Sequence, residues 1–531
     1  MDTKHIVAID AGSSKIALAV GFESDNGFRI SFYKSLPSSG INHGRIQNAQ
    51  QASEVIRELV GAVKEELGLD VMQAIINLPS HPIVQISAKS SLTREEDTIV
   101  REEDIRILRD QACEEALKTA ADRSEKNHLC VFDCVTQSYS DGMDFLIGED
   151  DIIGRFSEEI EGYYRVFLGR SQPMANIDNT LGLLDLVSAR KYFMPQHTGK
   201  IVLDRTDMEN GVALVDIGGG VTSVSIFTGG ILRYYDSIPF GGRSVTMDIR
   251  NECGLSEALA ENIKKVYGIC CPDKLQNMSD KYLRIKLRDS SRTKEVGIKF
   301  LSEIVTARMK EIFEAVLYII QESGMADDLG AGIVLTGGGA KLTNCSKLLE
   351  ERSGYSVRVG QVNSRAVTMP AECLSPDAAG CLGMLFAGRA LDKIWFVNDP
   401  ADPRINAIEM EKKTDEEEEP AAQEAARSDE ETNEETVPDQ ESETGTDTET
   451  APVRTVPEAQ TPGTNLFGDS PRAAKPGLKK SHNRSRENNS SFLDNFGARI
   501  LGIMDGGAPE KKKGKDKAED LFGDNLFGEE F

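Results

Sequence analysis

The sequence lacks any apolar run that approaches the roughly 20 residues needed to cross a lipid bilayer. Residues 1–4 lead directly into a strand-like apolar pattern, without the basic and apolar regions of a secretory signal. We therefore expect a protein that is made and kept in the cytoplasm. Any contact with a membrane should be peripheral.

Cysteine spacing gives no support for a zinc or redox site. The 9 cysteines are an odd number, and no two of them have C-x-x-C spacing. The close pairs Cys130 with Cys134 and Cys270 with Cys271 leave metal binding open as an alternative. We interpret the cysteines as buried or idle thiols in a reducing compartment.

Apolar and aromatic residues are scarce for a chain of this length, at 39% and 6%, and the net charge is -26. The low apolar content and the excess of negative charge have a local source, because residues 409–443 are dominated by Glu and Asp and contain no aromatic residue. Such a segment cannot bury enough apolar surface to fold. We expect an extended spacer there, with an acidic binding motif as the alternative, and two or more ordinary domains before it.

The most informative stretch is 212–226, VALVDIGGGVTSVSI, in which an apolar strand ends on Asp216 and a glycine turn leads into a second strand. The turn contains Gly218, Gly219 and Gly220, and Thr222 opens the second strand. Glycines let backbone N–H groups approach an anion, while the carboxylate requires a cation between itself and a phosphate. The pattern predicts a β-hairpin that binds a magnesium polyphosphate; a tight turn without a ligand is the alternative.

A second copy of this hairpin occupies 6–20, IVAIDAGSSKIALAV. Asp10 ends its first strand, and Gly12, Ser13 and Ser14 form the turn. Lys15 follows, either as a phosphate ligand or as an ordinary strand lysine. Two copies of one hairpin predict two similar domains that face each other across a cleft.

A third glycine turn lies in 333–341, IVLTGGGAK, between a strand and a helix predicted at 342–351. Gly337, Gly338 and Gly339 leave room for a flat ring or a ribose beside the backbone. A turn of this kind also occurs in α/β domains without a nucleotide. The order of the three turns along the chain is the stronger signal.

The three motifs, in this order, resemble those of the actin, heat-shock chaperone and sugar-kinase superfamily of ATP-binding proteins. Further stretches are similar to the bacterial cell-division family FtsA: SSGINHGRI at 38–46, REEDTIVREEDIRILRDQA at 94–112, SIPFGGRSVTMDIR at 237–250, AENIKKVYG at 260–268 and SPDAAGCLGMLF at 375–386. This resemblance covers about residues 5–395. It implies an α/β fold, namely the actin-like two-lobed ATPase fold of duplicated ribonuclease-H-like domains, with a small inserted α+β domain.

The resemblance and the composition together divide the chain into six parts. They are the first part of lobe 1 at 1–80, the inserted domain at 81–169, the rest of lobe 1 with lobe 2 at 170–400, an acidic and then basic disordered linker at 401–490, an amphipathic helix at 491–505, and a basic tail at 506–531. In the resembled family the inserted domain takes part in head-to-tail polymerisation. The second lobe includes a subdomain that covers the nucleotide.

The resemblance also implies roles for individual residues. Asp10 and Asp216 would hold Mg²⁺ through water. Glu261 and Lys264 share a helix face and would meet the ribose and adenine of ATP, or form a surface ion pair. Asp185, in a helix predicted at 179–187, is the candidate for orienting the attacking water, with a solvated surface Asp as the alternative.

The second hairpin departs from the family pattern at two positions. Val221 stands where a threonine is usual, and Ser223 stands where an aspartate is usual. The lost hydroxyl and carboxylate would otherwise position water. ATP binding is therefore better supported than ATP hydrolysis, and at most a weak ATPase is expected.

Residues 491–505, SFLDNFGARILGIMD, predict an amphipathic helix near the end of the chain. Its apolar sector contains Phe492, Leu493, Phe496, Ile500, Ile503 and Met504. Lysines and arginines flank it on both sides, which suits the surface of an anionic membrane. Docking of this helix on the body or on a partner protein is the alternative.

Three copies of a Leu-Phe-Gly motif lie in the same tail, at 465–469, 520–524 and 525–529. Repeated apolar anchors in polar sequence are typical of multivalent docking on another protein. We expect the motifs to bind another division protein or the body itself. Random drift of a low-complexity tail is the alternative.

From the sequence we predict an actin-like ATP-binding protein that polymerises at the inner face of the membrane and tethers the FtsZ ring at the division septum. Expected partners are FtsZ, further copies of the chain, an anionic membrane surface and other division proteins, without a nucleic acid. Two alternatives remain: an actin-fold pilus-assembly adaptor and a sugar kinase of the same superfamily.

Overall fold

A computed structural model of the chain describes residues 4–123, 128–271, 281–286, 293–363, 368–391 and 394–398. The predicted linker at 401–490, the predicted helix at 491–505 and the tail at 506–531 lie outside the described residues. Among the helices of the described part, none is long and apolar enough to span a membrane.

The first part of the chain builds one side of a mixed α/β layer. Its elements are β1 (His5–Ala11), β2 (Lys15–Ser24), β3 (Gly27–Pro37), β4 (Ile41–Asn42), β5 (Arg45–Ile46), α1 (Ala49–Leu67), β6 (Asp70–Val71) and β7 (Gln73–Asn77). The Asn48 side chain accepts a hydrogen bond from the Gln51 N–H and caps α1, and Gly68 ends it in the left-handed conformation. These signals fix α1 at both ends.

A separate four-stranded sheet follows, with its own core. Its elements are β8 (Val84–Ile99), α2 (Glu102–Arg123), β9 (Leu129–Ser140), β10 (Phe145–Leu146), α3 (Glu149–Ile152) and β11 (Phe156–Arg170), in the strand order β10-β9-β11-β8. Leu108 and Ala112 of α2 pack against Tyr164 and Val166 of β11 in this core. The unit is therefore an inserted α+β module.

The chain then returns to the first layer. The elements are α4 (Ser171–Gly182), β12 (Val187–Tyr192), α5 (Pro195–Val202) and α6 (Arg205–Asn210). The helix predicted at 179–187 is wrong, because α4 ends at Gly182 and Val187 already begins a strand. Asp185 lies in the turn between them with a φ of 57°, a conformation that Asp tolerates and that ends helical geometry.

The second layer and the closing segment contain the remaining elements. They are β13 (Val212–Ile217), β14 (Thr222–Thr228), β15 (Ile231–Ile238), α7 (Gly242–Cys253), α8 (Glu257–Tyr267), β16 (Tyr282–Lys286), β17 (Thr293–Gly297), α9 (Ile298–Glu322), β18 (Ile333–Thr336), α10 (Cys345–Ser353), β19 (Val357–Val359), α11 (Ala379–Ala387) and β20 (Val397–Asn398). The long helix α9 buries one apolar face, including Met309, Phe313 and Val316.

The two large sheets repeat one topology. The first has the order β3-β2-β1-β7-β12 and the second the order β15-β14-β13-β18-β19. In each sheet the first three strands are antiparallel neighbours and the last two are parallel to the central strand. This duplication of a ribonuclease-H-like sheet, interrupted by the small inserted module, confirms the predicted actin-like α/β fold.

A buried carboxylate in β15 makes the stability of the fold depend on pH. Burial raises the pKa of Asp236 to about 6, against the hydrogen bond that the Ser237 N–H donates to it. The unfolded chain loses this proton near its ordinary pKa of 3.8, so the native state becomes less stable as the pH rises from about 4 to about 6.

We expect Asp236→Asn to raise the free energy of unfolding by on the order of 2 kcal/mol above pH 6 and to change it little at pH 4. The amide oxygen keeps the bond to the Ser237 N–H. Melting temperatures of both proteins, measured from pH 4 to pH 8, test this expectation. A gain of equal size at every pH would contradict it.

Candidate functional site

The turns of the two hairpins are in direct contact with each other. A Cβ atom on Gly219 would lie 2.6 Å from the Ser14 Cβ, and one on Gly220 would lie 2.9 Å from the Ser13 Oγ. Side chains at these two positions would separate the turns. The glycines are thus required by the close approach of the β13–β14 turn to the β1–β2 turn.

Each turn is also held by its own backbone. The Gly12 N–H donates to the Lys15 carbonyl oxygen at 3.1 Å, and the Gly218 N–H donates to the Val221 carbonyl oxygen at 2.9 Å. A Cβ at Gly12 would lie 2.8 Å from the same Lys15 oxygen. Sequence and contact together explain why a small residue is needed at this position.

The β4–β5 hairpin closes over the place where the two turns meet. His43 Nδ1 lies 2.8 Å from the Gly220 carbonyl oxygen, and the Gly44 N–H donates to Ser13 Oγ at 2.7 Å. The sequence of this hairpin, within 38–46, shows only a family resemblance. The structure shows that it fixes both turns.

The third glycine turn packs beside Asp216. Gly337 has a φ of 80°, and a Cβ there would lie 2.2 Å from Asp216 Oδ1. A Cβ on Gly339 would lie 2.3 Å from the Ile217 Cγ2. The three glycine turns, which are far apart in sequence, therefore meet around the ends of β1, β13 and β18.

Together the turns line a cavity of about 650 Å³. Its lining includes the predicted residues Asp10, Gly12, Ser13, Ser14, Lys15, Asp216, Gly218, Gly219, Gly220, Glu261, Lys264, Gly337, Gly338 and Gly339. Pockets of roughly 300–1,000 Å³ are typical of small-molecule and cofactor sites. The structure thus brings most of the predicted site residues to one cavity.

Two predicted residues lie elsewhere. Thr222 is buried and its hydroxyl donates to the Phe240 carbonyl oxygen at 2.9 Å, whereas Val221 and Ser223 line the cavity. Successive side chains of a strand point to opposite faces, so the Thr222 side chain lies on the face of β14 that points away from the cavity.

Asp185 is exposed in its turn and is not among the lining residues, because the helix that would have presented it ends three residues earlier.

Three carboxylates crowd the floor of the cavity. Burial raises the pKa of Asp216 to about 7, and the negative charges of Asp10 and Asp377 add to the shift. Burial also raises the pKa of Asp10, against the opposing charge of Lys15. The two acids therefore keep their protons to a higher pH than exposed carboxylates would, unless a cation stabilises the charged forms.

Asp377 is the site residue that sequence analysis missed. Lys15 Nζ lies 2.8 Å from one of its carboxylate oxygens and Lys341 Nζ lies 3.3 Å from the other. Burial alone would raise the pKa of Asp377, but the charge and hydrogen bond of Lys15 outweigh burial and lower it. The SPDAAG stretch that contains Asp377 was the available signal. Lys15, predicted as a phosphate ligand, is already paired here.

Glu261 and Lys264 form an ion pair in the cavity wall. Lys264 Nζ lies 2.7 Å from Glu261 Oε2 and donates to the Gly242 carbonyl oxygen at 2.7 Å and to Thr246 Oγ1 at 2.8 Å. These three partners match the three N–H donors of an ammonium group. Lys264 thus fixes α8 against α7, and Glu261 borders the cavity beside it.

The residues present fit a divalent cation held through water. Burial raises the pKa of both Asp10 and Asp216, and the charge of Asp377 adds to each shift. A cation beside these carboxylates would stabilise their charged forms. In the described part of the chain, no group of three or more His, Cys, Asp or Glu residues is placed to hold a metal ion directly. Mg²⁺ keeps several of its waters in proteins and is commonly shared between one or two carboxylates and phosphates.

Comparison with known proteins identifies relatives of the chain. The family model described as cell division protein FtsA matches residues 213–383. Cell division protein FtsA of Neisseria meningitidis is 27% identical over 399 residues, which cover 73% of this chain and 91% of that protein. Cell division protein FtsA of Bacillus subtilis is 25% identical over 366 residues, which cover 68% of this chain and 80% of that protein. The chain is therefore similar to cell division protein FtsA over about 70% of its length.

The described fold and the similarity to FtsA proteins agree with an actin-like architecture. Among solved structures, the PilM–PilN type IV pilus biogenesis complex is similar with a TM-score of 0.49 and 15% identity, covering 72% of this chain and 98% of that chain. MreB5 of Spiroplasma citri bound to ADP is similar with a TM-score of 0.41 and 13% identity, covering 73% of this chain and 97% of that chain.

Proposed function

We propose that this protein binds MgATP in the cavity between its two sheets. The observation that carries the proposal is the contact between the two glycine turns, with an acid at the base of each. The cavity continues from these turns to the Glu261–Lys264 pair and to the third glycine turn at Gly337–Gly339. This arrangement offers separate places along one site for a polyphosphate, a cation and the adenine ring.

Each part of the ligand has a chemical counterpart in the site. The glycine and serine turns present backbone close to the phosphates, Asp10 and Asp216 would hold Mg²⁺ through water, and Gly337–Gly339 leaves space for adenosine. The bound cation would lower the pKa of both carboxylates and stabilise their charged forms. In the absence of the cation, the same carboxylates repel bare phosphate.

We further propose that the protein polymerises and tethers FtsZ to the membrane at the division septum. The support is the similarity to cell division protein FtsA together with the sequence of 491–505, whose apolar sector is flanked by basic residues. The apolar sector would enter the acyl boundary, and each basic residue near an anionic surface contributes about 1 kcal/mol. The body would then stay on the cytoplasmic face of the membrane as a peripheral protein.

Substitution of Phe496 by Glu tests the tether. A charge in the apolar sector of an interfacial helix opposes its burial, so we expect binding to anionic vesicles to fall by at least about tenfold. Co-sedimentation of the full chain with anionic and with neutral vesicles, with and without MgATP, measures this. The matched control is Asn495→Glu, which adds the same charge on the polar side.

The outcome separates tethering from the alternatives. Wild-type protein that stays in solution with anionic vesicles would contradict membrane binding by this segment. Equal losses for Phe496→Glu and Asn495→Glu would show that charge alone, and not insertion of an apolar face, governs the interaction. A pull-down of FtsZ by each variant, in solution, tests recruitment separately from the membrane.

A further inference from the structure

An apolar patch covers the tip of the inserted module. We define the tip patch as Ile99, Met143, Phe145, Ile147 and Phe156. Met143 is 94% exposed, Phe145 75%, Phe156 65%, Ile147 57% and Ile99 46%. Contiguous exposed apolar groups on soluble proteins commonly mark a binding surface.

The members of the tip patch come from segments that meet in space. Ile99 and Phe156 are direct partners in the β8–β11 pairing, and Phe145 faces Ser140 in the β9–β10 pairing. The Ser157 hydroxyl donates to the Asp141 carbonyl oxygen at 3.2 Å, which ties the 141–147 loop to β11. The Phe145 ring also lies 6.0 Å from the Tyr163 ring, centroid to centroid.

The segment that carries four of the five members of the tip patch is strongly acidic, although Lys89 pairs with Glu161 at 2.6 Å and Arg109 pairs with Glu149 at 3.2 Å. Residues 141–161 contain a single basic residue, Arg155, and eight acidic ones: Asp141, Asp144, Glu149, Asp150, Asp151, Glu158, Glu159 and Glu161. Arg155 is already paired, at 2.7 Å with Asp141 and at 2.9 Å with Asp144. A partner for this surface should therefore combine an apolar face with positive charge.

The same requirement excludes two other partners. An anionic membrane would be repelled by the acidic surround, and so would the tip patch of a second copy in a symmetric contact. Contact with another face of a second copy would instead give protection that increases with protein concentration. The 491–505 segment has the opposite character. The basic residues in and around it are Lys479, Lys480, Arg484, Arg486, Arg499, Lys511, Lys512, Lys513, Lys515 and Lys517.

The length of the chain allows the two to meet. Between Asn398, the last described residue, and Ser491 lie 92 residues. If it is the spacer expected from its composition, a chain of that length would have a root-mean-square span of about 50 Å. A compact body of about 400 residues has a radius of gyration of about 21 Å, so this span reaches across it. Linkage of this kind also raises the effective concentration of the segment at its site.

We propose that the tip patch binds the apolar face of segment 491–505 of the same chain. Phe145, Phe156 and their neighbours cover the apolar sector, and the acidic surround pairs with the basic flanks. The segment cannot occupy the tip patch and a membrane at the same time, so docking competes with membrane binding. The docking itself is independent of the proposed function, and only this competition rests on it.

Hydrogen–deuterium exchange of the full-length protein without lipid tests the docking. Amides of 141–147 and 156–161 should exchange on the order of fivefold more slowly in the wild type than in the Phe496→Glu variant, as expected for a mainly docked segment. Asn495→Glu serves as the control of equal charge and should retain the protection. Equal exchange in wild type and Phe496→Glu would overturn the proposal, as would protection that increases with protein concentration.

A vesicle assay tests the competition. The double variant Phe145→Ser with Phe156→Ser should bind anionic vesicles on the order of fivefold more tightly than wild type, because the undocked segment is free to insert. Leu183→Ser, which removes an exposed apolar residue elsewhere, should bind like wild type. Circular dichroism of each variant verifies folding. Tighter binding by Leu183→Ser of the same size would contradict a specific role for the tip patch.

The two assays fail independently. Should no form bind vesicles while exchange protection depends on Phe496, the membrane part of the proposed function is wrong and the docking stands. Should Phe496→Glu abolish vesicle binding while exchange at the tip patch is unchanged, the tether stands and the docking is wrong.

Discussion

Gly219→Ala is expected to weaken MgATP binding by roughly tenfold to a hundredfold. The new Cβ would lie 2.6 Å from the Ser14 Cβ and 2.9 Å from the Ser14 backbone nitrogen, so the two phosphate turns must move apart. Overpacking of this kind costs about 1–3 kcal/mol, and every 1.4 kcal/mol corresponds to about tenfold in affinity. Titration of the full chain with a fluorescent ATP analogue in the presence of Mg²⁺ measures the loss.

Gly61→Ala is the matched control for this substitution. A Cβ at Gly61, in the middle of α1, meets no atom within 4 Å. Alanine there should leave the nucleotide affinity unchanged and stabilise the helix by about 0.5–1 kcal/mol. Wild-type affinity in Gly219→Ala would mean that the contact between the turns does not shape a nucleotide site.

Asp216→Asn should produce two effects of opposite sign. Without nucleotide, the melting temperature should rise, because the amide removes a desolvated negative charge that Asp10 and Asp377 repel. With MgATP, the affinity should fall by roughly tenfold or more, because a neutral amide is a poorer partner for hydrated Mg²⁺ than a carboxylate. Scanning calorimetry with and without MgATP gives both quantities for one sample.

The exposed Asp185 provides the control for Asp216. The same change, Asp185→Asn, removes one charge outside the cavity and should alter neither the ligand-free melting temperature nor the shift caused by MgATP. An Asp216→Asn variant that binds MgATP like wild type would place the cation away from this carboxylate. A fall in ATP turnover by Asp185→Asn at unchanged affinity would support the water-orienting role predicted from the sequence.

Local pattern was sufficient for the three glycine turns and the duplicated hairpin, and the family resemblance carried by these motifs implied the fold class. Apolar strands ending on Asp10 and Asp216 are short-range signals, and α1 carries a capping residue and a terminal glycine that fix its ends. The duplicated hairpin correctly indicated two similar sheets, because each copy occupies the same place in its own sheet.

The sequence pattern could not show which segments that are distant in the chain pack against each other. Asp377 enters the site because α11 and the turn before it pack beside β1. Its partner Lys15 lies 362 residues earlier in the chain. Thr222 was misplaced because strand register, and not the presence of a hydroxyl, decides which face a residue occupies. Asp185 was misplaced because the left-handed turn after Gly182 interrupts an otherwise helical pattern.

The charge balance of the site also emerged only from the structure. Sequence spacing gave two acids for a cation, whereas packing added Asp377 and paired it with Lys15 and Lys341. The lysine expected to reach a phosphate is therefore engaged with a carboxylate. Phosphate binding would have to compete with this ion pair or join it.

Isothermal titration calorimetry of the full chain with ATP, in the presence of Mg²⁺ and again with EDTA, tests whether the cavity is a magnesium-nucleotide site. We expect one nucleotide per chain with Mg²⁺ present and a large loss of affinity when the cation is removed, since Asp10 and Asp216 then face bare phosphate. Absence of binding with Mg²⁺, or equal binding with and without it, would contradict a magnesium-nucleotide site between the two sheets.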